Sequence, residues 1–244
     1  MSGILKSEFT KILTLRSTYI VFGVLVLFAI LGGIIAGYSP ASDSGKVFVS
    51  TTVFQSAISG VLTLSIGVFA IVSSLVIMNE YRHNTIAYTL TVSRSRLTVF
   101  LAKVITVIAY GLTVALALSL IAVLSATVML AISGGTVTTQ KVEIGALILH
   151  LGLYVSFYML VGLFLGFILR NIIVVIVIIF ALPVVENLLS IALKEGALYL
   201  PFRSFGALAS TGEAAASASV VVTAFAYLLG LAALAVVLFV KRDA

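Results

Sequence analysis

The 244-residue chain has no cysteine, no tryptophan and three prolines, and only 9% of it is Asp, Glu, Lys or Arg. Without thiols there is no disulfide framework and no thiolate metal site, and the redox compartment leaves no mark on the sequence. A soluble domain carries about 25% charged residues. The shortage of charge, with 62% hydrophobic residues and a mean hydropathy of +1.31, excludes an ordinary soluble fold. The phosphate-binding GxxxxGK[ST] loop is missing too: the one Gly-Lys pair, Gly45-Lys46, is followed by Val47, so the chain has no P-loop of its own. Neither HExxH nor Gly-x-Ser-x-Gly occurs, and no metalloprotease or serine-hydrolase chemistry is supported.

What is present is long and apolar. Six runs, at about 18–37, 56–78, 99–131, 144–169, 172–193 and 216–240, each hold the roughly 20 residues that a helix needs to cross a bilayer. The expected fold is an all-α integral membrane protein, a single transmembrane domain over 1–244 with no separate soluble part. No internal repeat is visible, which counts against transporters built on inverted repeats. In a six-span topology Lys6, Lys11, Arg16, Arg82, Arg94, Arg96, Lys103, Arg170, Lys241 and Arg242 fall on one side, ten against the four of Lys46, Lys141, Lys194 and Arg203. The excess of Lys and Arg on cytoplasmic segments then places both termini inside. It also accounts for the net charge of +6 without a nucleic-acid partner.

The run from Tyr19 to Ala36 exceeds the 7–15 residues of a signal-peptide core, so a retained first span is expected. Before it, at about 4–17, Ile4, Leu5, Phe9, Ile12 and Leu13 share one half of a helix, with Lys6, Ser7, Thr10, Lys11, Thr14 and Ser17 on the other. This is the pattern of an amphipathic helix on the membrane surface. Glu8 and Arg16 interrupt the apolar half; they mark either contact with protein rather than lipid or, as the simpler account, snorkelling to the headgroups. On the outer side, 38–55 and 132–143 read as plain connectors. The segment of about 194–215 is half apolar around Pro201 and Phe202, and is expected to fold as short helices that re-enter the outer boundary or close a cavity. Only 15 uncharged residues separate Arg170 from Glu186, a short span, and Pro183 would kink or break it. Gly33-xxx-Gly37 and Gly162-xxx-Gly166 have the spacing that lets helices approach closely.

Titratable groups inside the spans are few. His83 and His150 fall on opposite sides, so no metal site is supported, and His150 reads as a helix–helix hydrogen bonder. Glu186 is the one acid expected within a span, where central burial costs about 2.5–3.5 kcal/mol. With only these two groups a proton relay is disfavoured, and Glu186 is equally a boundary residue or part of an external gate with Pro183, Pro201 and Phe202.

The remaining feature is a polar island of 20 residues, 79–98, with four of the chain's 22 formal charges. Ile86, Leu90 and Leu97 keep helical spacing within it, and Ser93 or Ser95 can cap the next helix. Its pattern, Glu80-x-Arg82-x-x-Thr85-Ile86, Thr89-Leu90, Ser93-Arg94-Ser95-Arg96 and Ala102-Lys103, resembles the first intracellular loop of type-2 ATP-binding-cassette (ABC-2) exporter permeases. The start, Ser7-Glu8-Phe9-x-Lys11 through Arg16-Ser17-Thr18, is similar to the elbow helix of bacterial members. Asn84 stands where many relatives have Gly, and Asn tolerates the same left-handed backbone.

The resemblance implies an elbow helix with Glu8, Phe9, Lys11 and Arg16, followed by six spans. It also implies a coupling helix near 80–90 that docks on a separate ATPase subunit through Glu80, Arg82, Thr85, Ile86 and Leu90. Two permease subunits and two ATPase subunits would make the complex. ATP and Mg would bind the ATPase partner and no cofactor would bind this chain, whose setting would be the bacterial cytoplasmic membrane. The apolar spans suit lipidic, drug-like or peptide cargo. The alternatives are a non-transporting membrane scaffold or regulatory subunit, and a secondary transporter. For the topology, cysteine introduced at Ser44 or Thr139 should react with an impermeant thiol reagent in intact cells and cysteine at Ser95 should not. Labelling at Ser95 from outside would reverse the orientation.

Overall fold

The computed structural model describes residues 2–14, 16–38, 48–83, 85–86, 95–133, 137–138, 144–207 and 217–241. In chain order the helices are α1 (Ser2–Thr14), α2 (Arg16–Tyr38), α3 (Ser50–Arg82), α4 (Arg96–Ser133), α5 (Ile144–Leu169) and α6 (Ile172–Leu193). A 3-10 segment, Lys194–Tyr199, then leads to α7 (Pro201–Ala207) and α8 (Ala218–Lys241). Among the described residues five helices, α2, α4, α5, α6 and α8, are long and apolar enough to cross a membrane. The 33-residue α3 packs with them, against α2 and α5. Two residues on each side depart from the all-helical plan: β1 (Phe48–Val49) pairs in parallel with β2 (Val137–Thr138). The two segments expected as plain connectors therefore meet through their backbones.

The helix ends differ from the apolar runs where charge begins. α3 and α4 continue into the polar island from both sides, with 33 and 38 residues, or about 50 and 57 Å at 1.5 Å per residue. Both exceed the ~30 Å hydrocarbon core, so the island is mounted on two helical stems. α1 stops at Thr14 and α2 opens with Arg16, so the elbow expected at about 4–17 is divided, with Arg16 on the first span. α6 is not cut short at Glu186. It runs unbroken through Pro183 to Leu193, about 33 Å, because the proline removes one backbone N–H from the ladder without ending the helix. At its start Asn171 accepts hydrogen bonds from the Ile173 and Val174 amides at 3.0 and 3.4 Å. Arg170 takes a left-handed φ of 50° in the two-residue turn from α5.

The centre of the bundle is α5, which α3, α4, α6, α7 and α8 all touch. From Tyr154 to Phe164 every residue is buried, as expected of a helix apolar on all sides and enclosed by neighbours. α6 is equally apolar, yet only Val175, Ile179 and Glu186 are buried along it. Four buried hydroxyls settle their hydrogen bonds locally: Ser73, Ser74, Thr106 and Ser119 donate to carbonyls three or four residues back, so these four need no partner across a helix interface.

Close approach depends on glycine. A Cβ on Gly162 would meet the Ala70 carbonyl oxygen and Ser73 Oγ of α3, and one on Gly166 would lie 2.7 Å from Ile77 Cγ2. Gly33 and Gly37 play the same part for α2, against Ala122, Ser125, Ala126 and Met129 of α4. Both small-xxx-small pairs thus serve contacts within the chain. Gly162→Ala must push α3 and α5 apart and should cost about 1–3 kcal/mol. Gly23→Ala, where nothing lies within 4 Å, should be neutral or stabilising. Thermal unfolding of the two variants in the same detergent compares them; equal melting temperatures would contradict the α3–α5 contact.

Candidate functional site

Four charges gather where α1 meets the two stems of the island. Lys11 Nζ lies 2.6 Å from Glu8 Oε1 and 2.7 Å from Glu80 Oε1. Lys103 Nζ lies 2.7 Å from Glu8 Oε2 and 2.8 Å from Glu80 Oε1. Glu8 is 1% exposed, Glu80 5% and Lys103 0%. Each acid meets both bases, so the group is a closed, neutral ring. Charges out of water are tolerated when paired and hydrogen-bonded in this way, and removing one partner of a buried pair costs about 3–5 kcal/mol. Glu80 Oε2 is buried without a hydrogen-bond partner, a cost carried inside the ring.

The ring corrects the reading of α1. Its buried line runs through Glu8 and Ile12, with Ile4, Leu5 and Phe9 half-buried and Leu13 exposed. Glu8 does not snorkel: its carboxylate points into the bundle because Lys103 waits there. Burial pushes the Glu8 carboxyl up, and the Lys103 and Lys11 ammonium groups more than reverse it, leaving it below its usual range. For Lys11 burial pushes down, and Glu8 and Glu80 more than reverse it, so it rises. The depressed acid stabilises the fold above its unfolded pKa of about 4.3 and loses this as pH falls through the lower folded value. The raised base stabilises below about 10.4 and loses this as pH climbs through its folded value. Both contributions are complete from about pH 5 to 10.

The island residues divide by direction. Arg82, His83 and Thr85 are exposed, whereas Ile86 is 3% exposed and belongs to this chain's own core. Ile86, expected as an apolar anchor for a partner, is thus an internal anchor. Glu80, expected beside Arg82 in the same contact, faces inward to the ring. α3 closes with the Thr85 amide bonded to the Glu80 carbonyl at 3.0 Å, the six-residue closure common at helix ends. Arg170 lies over the Tyr81 ring, 4.5 Å from its centroid. Arg96 Nη1 donates to the Phe239 and Val240 carbonyls at 3.3 and 3.2 Å, so α4 caps the end of α8. Asn84, Leu90, Ser93 and Arg94 lie outside the described residues, as do the side chains of Arg16 and His150.

At the opposite end Glu186 holds the returning segment. Its Oε1 accepts from the Phe202 amide at 3.0 Å and its Oε2 from the Arg203 amide at 3.1 Å. Pro201 opens α7 with no N–H to satisfy, so the carboxylate takes the next two free donors of that turn. Arg203 Nη2 returns to Asn187 Oδ1 at 3.0 Å and Ser190 Oγ at 2.9 Å. Tyr158 OH donates to the Phe202 carbonyl at 3.3 Å, and Phe202 and Phe205 pack against the Tyr158 ring at centroid distances of 5.6 and 6.0 Å. The expected association of Glu186 with Phe202 is direct. Pro183 stays half-exposed, a turn away.

Sequence reasoning missed Lys103 and Arg203 as organising residues. The available signal for Lys103 was a lysine about two turns inside a run otherwise free of charge up to Gln140.

A helical bundle with apolar spans, a polar island on two stems and a buried, hydrogen-bonded carboxylate at each end defines a multi-pass membrane protein. Residues 4–186 match the family described as ABC-2 family transporter protein, about three quarters of the chain, and the chain belongs to that family of membrane permeases. No curated protein matches it.

Glu186→Ala leaves two amide donors of α7 unpaired, each charge-assisted bond being worth about 1.5–3 kcal/mol. Amide exchange over 201–207 should accelerate while α5 stays protected. Glu186→Gln, which keeps one acceptor, should fall between. Unchanged exchange in Glu186→Ala would show that ring packing alone holds α7.

Proposed function

We infer that the chain is the transmembrane subunit of an ATP-driven exporter of the ABC-2 type. It spans the bacterial cytoplasmic membrane six times with both termini inside, α3 being the sixth crossing helix. Two such subunits, alike or different, enclose the pathway, and α6, with most of its apolar surface uncovered, is available to the second. Two ATPase subunits bind the island and hold ATP and Mg. Lipidic, drug-like or peptide cargo suits the apolar spans. One observation carries the reading: family membership over 4–186 comes with an island whose exposed rim, Arg82, His83 and Thr85, stands on two helices that continue into the bundle.

The island's division sets its roles. Arg82 and Thr85 face outward to recognise the ATPase, and Glu80 and Ile86 root that contact in the bundle. Leu90 and the elbow residues Phe9 and Arg16 complete the coupling surface. The 194–215 segment, pinned by Glu186 around Pro201 and Phe202, closes the outer end of the pathway.

Purified alone, the chain should hydrolyse no ATP. Co-expressed with candidate P-loop ATPase subunits from the same genome, the tagged chain should retain one of them through purification. Arg82→Ala/Thr85→Ala should weaken retention roughly tenfold or more, the worth of one lost charge-assisted contact, without reducing the inserted amount. Failure to retain any ATPase would overturn the subunit reading, and undiminished retention by the double variant would remove Arg82 and Thr85 from the contact.

A further inference from the structure

The two stems of the island and α1 are joined by one set of charges. Glu80 lies in the last turn of α3 and Lys103 about two turns into α4, so their 2.8 Å contact ties the helices on either side of residues 83–95. Glu8 reaches Lys103 and Lys11 reaches Glu80, each at 2.7 Å, so α1 is attached to both stems at once. Lys103 is wholly buried, and among the described residues its ammonium is paired with the two carboxylates. A helix tied to one stem would let the stems part, whereas a ring through both does not.

We propose that Lys103 is a positioning residue whose ring with Glu8, Lys11 and Glu80 makes α1, the end of α3 and the start of α4 one rigid body. A displacement of residues 83–95 is then delivered to the elbow and to two spans together. The source of that displacement rests on the ATPase reading above; the rigid body is a property of the chain by itself.

The ring geometry dictates which substitutions are informative. Neutralising one acid with one base, Glu8→Gln/Lys103→Met, strands no net charge and leaves the Lys11–Glu80 pair, so the protein folds while α1 loses its hold on α4. Exchanging only Glu8 with Lys103 would place a second ammonium beside Lys11 and a second carboxylate beside Glu80. Reversing all four charges restores every contact.

The test uses spin labels on cysteines at Ser7 and Leu97, both exposed, in a chain with no cysteine of its own. The interspin distance is read for the chain alone in lipid nanodiscs and for the ATPase complex with ADP or with ATP and vanadate. The native ring should give one narrow distribution that nucleotide does not move. Glu8→Gln/Lys103→Met should insert to native levels but broaden the distribution and make it nucleotide-dependent, and the four-charge reversal should narrow it again. A distribution that stays narrow in the neutralised variant, a native distance that shifts between nucleotides, or no recovery on reversal would each overturn the proposal. Failure to form a complex would sink the ATPase reading instead, and the nanodisc measurement on the chain alone would still decide the ring.

Discussion

Charge withdrawn from water next to a lipid core has to be balanced by charge from elsewhere in the same chain, and the island end of this protein is organised by that requirement. Glu8, Lys11, Glu80 and Lys103 come from three helices, and their ammonium–carboxylate contacts of 2.6–2.8 Å determine where α1 lies. They also determine which way the last turn of α3 faces and how deeply α4 carries its lysine. A Coulombic contact in low dielectric is strong and intolerant of displacement. The apolar stripe of α1 could slide along α4 at modest cost; the ring fixes its register.

The opposite end uses a carboxylate differently. Glu186 meets backbone amides of a short helix instead of ammonium groups, and its grip is local, between α6 and the turn beginning at Pro201. The aromatic rings of Tyr158, Phe202 and Phe205 add surface burial around it. One end of the bundle is therefore braced by ion pairs across distant parts of the sequence, and the other by a carboxylate 16 and 17 residues from its amide partners, with Tyr158 of α5 packed beside them; between the two lies the glycine-lined contact of α3 with α5.

The apolar runs were legible as helices because their length and lack of charge leave few alternatives in a bilayer. The small-xxx-small pairs likewise marked real crossings. What composition could not separate was α5 from α6, both apolar on every side. The distinction lies in size: Gly152, Ser156, Gly162 and Gly166 let α5 be surrounded, while α6 has no glycine. In the island, the order of polar residues carried the family pattern but not the direction of each side chain. Arg82 and Glu80 are two residues apart, about 200° around a helix, so they could not serve one face. The sequence leaves Glu8 between snorkelling and a protein contact because its partner, Lys103, is remote along the chain.

That remoteness gives the ring a place in time as well as in space. Glu8 is made 95 residues before Lys103, and Lys11 is made 69 residues before Glu80. At 5–20 residues per second, α1 leaves the ribosome on the order of 5 to 20 seconds before α4 can offer its lysine. During that interval, of its two ring partners, Glu8 has Lys11 alone within reach, one helical turn away. α1 is thus made before the two helices that receive it, its seat built by chain that emerges after it.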